Sequence, residues 1–171
     1  MELLIIGLIL VALMVFASTR IKKIAAGAFE PESIETENFR IEKPEGFLNV
    51  INGDPDLEFE AYSREFGTNT DANARQARAE IRFYGGLSMI DFLKRIEASD
   101  TIVSKLSEIV GEKKYSLIEV ERTEKGTPRH DYYKIGAAGN GVRVLKVMAL
   151  NETNESVTRN IESMIASFEM K

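Results

Sequence analysis

His130 is the only histidine in the chain, and it stands beside Asp131 in the run Arg129-His130-Asp131-Tyr132-Tyr133. A histidine next to a carboxylate is the one place in this sequence where proton transfer could be arranged. The rest of a catalytic site is missing. Without any cysteine, thiolate catalysis is excluded and a zinc ion would have a single imidazole to bind. No Gly-x-Ser-x-Gly elbow presents a serine to the histidine. His130 therefore reads as a solvent-facing side chain at the start of a strand.

Two other stretches invite a chemical reading. Asp54, Asp56, Glu58 and Glu60 occupy alternate positions, and Asp54, Asp56 and Glu58 are the candidates for a metal, with the hard oxygen donors calcium prefers. An EF-hand loop counted from Asp54 would need glycine where Phe59 stands. Alternate carboxylates are also what the wet face of a strand produces. The run Gly-Ala-Ala-Gly-Asn-Gly from Gly136 to Gly141 has the composition of a phosphate loop, but such a loop must open into a helix. Here it leads into Val-Arg-Val-Leu-Lys-Val, so it is expected to be a hairpin turn. No catalytic residue and no cofactor are expected.

What remains is contact chemistry. In a strand the neighbours Tyr132 and Tyr133 face opposite sides. One ring is then either open to a partner or packed beneath a helix, and exposed tyrosine is favoured in interfaces. Arg129, His130 and whichever tyrosine is exposed form the candidate partner contact.

These residues must be positioned by the elements around them. Phe39 to Lys43 reads as a short strand stopped by Pro44. Asn52 to Asp56 is a turn, and Leu57 to Phe66 and Ala77 to Tyr84 read as strands separated by a polar loop. Ser88 with Asp91 is a capping signature, and Met89, Phe92, Leu93 and Ile96 form one apolar helical stripe. Thr101 to Val110 fits a helix by spacing and a strand by its β-branched content, and the strand is preferred. Lys114 to Arg122, Arg129 to Gly136 and Val142 to Leu150 form a meander, the last apolar on both faces and so central. Val157, Ile161, Met164, Ile165 and Phe168 close the chain as an amphipathic helix.

The N-terminus is of another kind. From Leu3 to Thr19 there is no charged residue, and Arg20, Lys22 and Lys23 follow at once. A helix of that length covers roughly 26 Å, just short of the ~30 Å hydrocarbon core. Leu3, Ile6, Leu10, Leu13 and Phe16 would face lipid, with the basic residues snorkelling to the headgroups. Gly7 would leave a notch for a neighbouring helix. Glu2 is the only charge before the apolar run, which is unlike the basic start of a cleaved signal, so a retained anchor is expected. The basic residues lie only after the span, which puts the C-terminal side in the cytoplasm of a plasma (inner) membrane protein. The division is then a membrane helix over 1–28, an acidic linker over 29–37 and a globular domain over 38–171. Beyond the anchor 19 basic side chains face 26 acidic ones, which disfavours nucleic acid as a partner.

The opening Phe-Arg-Ile-Glu-Lys-Pro-Glu-Gly-Phe, the strand meander and a closing helix with Ser167-Phe168 near its end together resemble the PsbP-like α/β/α sandwich superfamily. The resemblance covers roughly Asn38 to Met170, although Phe47 stands where that family usually has tryptophan. It implies an α+β fold in which an antiparallel sheet is flanked by helices, here after one N-terminal transmembrane helix. It also implies a binding or assembly domain rather than an enzyme, and it supplies no catalytic residues. The functional expectation is a membrane-anchored accessory subunit whose partners are the bilayer and an integral-membrane protein or larger membrane complex. Alternatives are an envelope protein of the DcrB type, with its domain on the outer side, and an enzyme with an unrecognised site.

Overall fold

A computed structural model of the chain describes residues 11, 13–20, 27–67, 74–124 and 126–171. The backbone forms ten strands and two principal helices: β1 (Glu32–Glu35), β2 (Phe39–Lys43), β3 (Phe47–Asn49), β4 (Phe59–Ser63), β5 (Ala77–Gly85), α1 (Met89–Ser99), β6 (Thr101–Val110), β7 (Lys113–Glu124), β8 (Thr127–Ala138), β9 (Gly141–Leu150), α2 (Glu155–Ser167) and β10 (Glu169–Met170). A seven-stranded sheet runs in the order β3-β4-β5-β9-β8-β7-β6, and a three-stranded one in the order β1-β2-β10. All pairings are antiparallel.

Three layers follow from the two faces of the large sheet. On one face Tyr115, Leu145, Val147 and Ala149 meet Val157, Ile161, Met164 and Phe168 of the α2 region, together with Phe39 and Ile41 of the small sheet. On the other, Ile118, Val120, Tyr133, Ile135, Val142 and Val144 meet Phe92 and Ile96 of α1. Strand β9 contributes to both clusters, as its two-sided apolar run requires. Each helix is capped as its sequence implies. Ser88 accepts a hydrogen bond from the Asp91 amide, and Asn154, in one of the two Asn-x-Ser/Thr sequons, accepts one from the Val157 amide.

Thr101 to Val110 is a strand, with a register shift between Ile102 and Ser104. The hairpin turn expected over Gly136 to Gly141 is tighter than that run: Ala138 pairs with Gly141, so the two turn residues are Gly139, with φ +55°, and Asn140. Gly141 is instead a strand residue against which the Tyr84 carbonyl packs so closely that any Cβ would collide with it.

The acidic stretch over 29–37 is not a linker. Glu32–Glu35 pairs along its length with β2, and Ile34 packs on the core. The segment is fastened further by Lys43, which is 1% exposed. Its ammonium donates to the carbonyls of Ala28 (3.3 Å), Glu30 (2.5 Å) and Phe47 (2.9 Å). Composition alone suggested solvation, but alternate carboxylates on a two-sided edge are compatible with strand pairing. A chain beginning at Asn38 would lose β1 and two of the three Lys43 acceptors. It is expected to be less stable than a chain beginning at Gly27 by roughly 2–4 kcal/mol, the scale of an unsatisfied buried charged donor plus lost packing. Urea midpoints of the two chains test this, and equal midpoints would show that the segment contributes nothing.

At the N-terminus, residues 13–20 are helical and their side chains are exposed, Leu13 at 59% and Phe16 at 65%. Leu3, Ile6, Gly7, Leu10, Lys22 and Lys23 lie outside the described residues. Among the described residues no helix is long and apolar enough to cross a membrane.

Candidate functional site

The alternation of β8 separates the residues that adjacency in sequence had grouped. Arg129, Asp131 and Tyr133 face α1, while His130, Tyr132 and Lys134 face the α2 side. His130 and Asp131 therefore cannot act as an acid–base pair. The imidazole Nδ1 lies 3.1 Å from Glu119 Oε1, and the ring stacks on Tyr132 at a centroid distance of 6.4 Å. Asp131 is 1% exposed, and its Oδ2 meets the Lys146 ammonium at 3.0 Å and the Arg122 guanidinium at 3.3 Å. Its Oδ1 has no hydrogen-bond partner. Burial opposes the Lys146 charge, but Asp131 and Tyr133 outweigh it and hold the ammonium pKa above its ordinary value. This cluster is a core ion pair beneath α1, not an exposed reactive group.

Of the carboxylates considered for a metal, Asp54 and Glu58 are taken up by arginines, while Asp56 contributes its amide to Asp54. Asp54 accepts from the Asp56 amide and pairs with Arg82 at 3.3 Å. Glu58 holds Arg143 through both of its oxygens. Glu60 pairs with Arg78 at 2.7 Å and accepts from the Tyr62 hydroxyl at 2.6 Å. Among the described residues no three acidic or histidine side chains group as a metal would require.

The polar cleft at the end of α1 encloses about 490 Å³ and is lined by Asp100, Glu121, Arg122 and Arg129, among others. Its cations are already partnered, Arg122 by Asp131 and Arg129 by Glu124 at 3.1 Å. In it the Ser99 hydroxyl lies 2.6 Å from the Asp100 carboxylate and 3.0 Å from the Arg95 carbonyl, at the exposed C-terminal end of α1.

The surface least satisfied by its own fold is the β6 edge. This ten-residue strand ends the seven-stranded sheet, so one side of its backbone is unpaired among the described residues. It exposes three large apolar side chains: Val103 (51%), Leu106 (64%) and Ile109 (73%). A long apolar edge is a template for another chain, and natural proteins blunt such edges unless they use them. Here the blunting consists of the shift after Ile102 and two charges, Lys105, drawn toward α1 by Glu97 at 2.7 Å, and Glu108, drawn toward Lys134 at 3.5 Å.

Beside Leu106 the sheet carries a shallow groove of about 150 Å³, lined by Ser104, Leu117, Glu119, Tyr132 and, from α2, Ile165. That volume is below the range of small-molecule pockets and fits a single apolar side chain. Tyr132 is thus the partly exposed tyrosine, and Tyr133 is the one covered by α1. Arg129, on the other face, does not belong to this surface. Leu106 and Ile109 were not singled out from sequence, although their helix-like spacing within a β-branched strand was a usable signal.

Burial raises the hydroxyl pKa of Tyr115, Tyr132 and Tyr133, with Glu119 adding to the effect at Tyr132. The Glu60 hydrogen bond, helped by burial, does the same at Tyr62. A folded pKa above the unfolded value gives stability that is complete below the unfolded value, near 10.0, and lost as pH rises through the folded ones. Lys146 acts in the same sense. Lys43, whose pKa burial lowers, acts in the opposite one. Four tyrosines and Lys146 outnumber it, so stability is expected to fall above pH 10, with tyrosinate absorbance appearing together with loss of far-ultraviolet circular dichroism. Titration of all tyrosines without unfolding would contradict these burials.

The architecture, an α+β fold with a mostly antiparallel sheet between helical layers, is shared with PsbP-like proteins. Cyanobacterial PsbP (CyanoP) from Synechocystis sp. PCC 6803 superposes with a TM-score of 0.53 at 11% identity, covering 83% of this chain and 92% of that one. LpqN of Mycobacterium tuberculosis, involved in cell envelope biogenesis, gives 0.58 at 9% identity over 83% and 91%. The Saccharomyces cerevisiae Ran-binding protein Mog1p gives 0.54 at 10% identity over 82% and 95%. A Bacteroides thetaiotaomicron structure matches at 0.50 and 15% identity over 78% of this chain, which spans only 45% of that longer one. At these identities the likeness establishes the fold. No family model and no curated protein matches the sequence.

Proposed function

We propose that this chain is a non-catalytic binding subunit, tethered to the plasma (inner) membrane by residues 1–28, which presents the β6 edge and the Tyr132 groove to a protein partner in or at that membrane. The observation that carries the reading is the unpaired β6 edge, along which Val103, Leu106 and Ile109 are exposed, with Leu106 lining a groove sized for one side chain. The tether is supported by the uncharged run from Leu3 to Thr19, and by the exposure of Leu13, Met14, Val15 and Phe16 on its helical part. The basic residues following that run favour the domain on the cytoplasmic side. Ran binding by Mog1p shows that a protein of this fold can serve as a binding module. No arrangement of side chains found above favours an enzyme. Tethering raises the local concentration of the domain, so a modest face can suffice.

The paired substitution Leu106→Glu and Tyr132→Ala is expected to release the co-purifying partner from the intact, mild-detergent-solubilised protein. Leu106→Glu by itself should change domain stability by less than about 1 kcal/mol, because that position is mostly solvent-exposed, whereas Tyr132→Ala removes a half-buried ring and should cost about 1–3 kcal/mol, leaving the domain folded. Retention of every co-purifying protein would rule out this face. Protease added to spheroplasts tests sidedness, and digestion of the domain before lysis would place it outside, as in a DcrB-type envelope protein.

A further inference from the structure

We propose that the domain rests on the bilayer through a second surface, formed by Phe29, Arg64, Phe66 and Arg75, and so holds one fixed orientation on the membrane. This rests on the tethered reading above. The first observation is that the chain is fastened to the domain immediately after the anchor. Ala28 and Glu30 are held through Lys43, the Phe29 carbonyl accepts from the Gly46 amide at 2.8 Å, and the Arg64 amide donates to the Gly46 carbonyl at 2.6 Å. Gly27 follows Arg20 by seven residues, which can separate the two by at most about 25 Å. The surface around Phe29 is therefore the part of the domain that cannot move far from the headgroups.

The second observation is the chemistry of that surface. The Arg64 guanidinium lies over the Phe29 ring, 5.7 Å from its centroid, and Arg75 lies over Phe66 at 3.9 Å. Arg75 also donates to the Arg64 carbonyl and pairs across a bridge with Phe66, so the two cation–ring pairs form one patch. Phe66 is 47% exposed. Aromatic rings carrying guanidiniums suit the boundary between acyl chains and phosphates, where the ring enters the apolar edge and the cation meets phosphate. Glu30, Glu45 and Glu65 neighbour Phe29, Gly46 and Arg64 in the chain, so the net positive charge of this surface is small. The fitting occupant is thus a phospholipid surface met by ring insertion and local phosphate contact, not by bulk attraction to anionic lipid.

The chain has no tryptophan, so one introduced indole reports its own position. The intact protein carrying Phe66→Trp, Phe29→Trp, Phe16→Trp or Ile109→Trp would be reconstituted in phosphatidylcholine vesicles brominated near the top of the acyl chains. Position 66 or 29 is expected to emit blue-shifted light and lose about half its intensity to the brominated lipid, while position 109 loses none. Adding Arg64→Glu and Arg75→Glu should abolish the quenching at 66. Quenching at 16 with none at 66 and 29 would overturn the patch and leave the anchor standing. No quenching at 16 would remove the anchor and the patch together. Equal quenching at 66 and 109 would show indiscriminate contact and would also overturn the proposal.

Discussion

Ile161→Asp is expected to remove a large part of the domain's stability. Ile161 is 3% exposed on the inner face of α2, within the cluster that joins that helix to β2, β5 and β9. A carboxylate there would be buried among the apolar side chains of that cluster, and the substitution also removes a packed aliphatic side chain. Together these effects should cost about 4–6 kcal/mol. A domain of this size holds roughly 5–15 kcal/mol in total. Phe92→Asp, on the opposite face and 8% exposed, is expected to be milder, because a short helix at the sheet surface can shift to admit water. Circular dichroism with urea titration gives both values. A normal midpoint for Ile161→Asp would mean that α2 does not pack as described.

Asp131→Asn is expected to destabilise by about 3 kcal/mol, since it leaves Lys146 beneath α1 without its counter-charge. Lys146 can reach little solvent, with 17% of its side chain exposed, whereas Arg122, at 36%, can turn outward. The double variant Asp131→Asn with Lys146→Met should recover much of the loss, because the stranded charge is removed along with its partner. Additive losses in the two single variants would show that the pair is not coupled.

The helices and the long strands were legible because their periods are clean. Met89-Phe92-Leu93-Ile96 and Val157-Ile161-Met164 repeat as helices do, Val142 to Leu150 is apolar on both faces, and Ser88 carries its own cap signal. The small sheet was only partly legible. Glu32–Glu35 and Glu169–Met170 are short and polar, and they are strands only because β2 lies between them. Lys43 and Lys134 look like surface lysines until folding surrounds their ammonium groups with backbone carbonyls. The binding surface was half legible. The paired tyrosines announced that one ring would be outside, but which one depended on the side of the sheet that α1 covers. The exposed row on β6 arises from the end position of that strand in the sheet, and nothing local to Thr101–Val110 specifies an end position.

The claim that this protein acts by contact through the β6 edge is tested most directly by placing a photo-activatable benzophenone side chain at Leu106 of the intact protein in its own membrane. A second sample carries it at Lys94, on the exposed side of α1. Irradiation is expected to give one discrete adduct to a membrane-associated protein from position 106, absent at 94 and lost when Tyr132→Ala is added. The same pattern of adducts from both positions, or none from 106 in a sample whose domain is folded, would contradict the account.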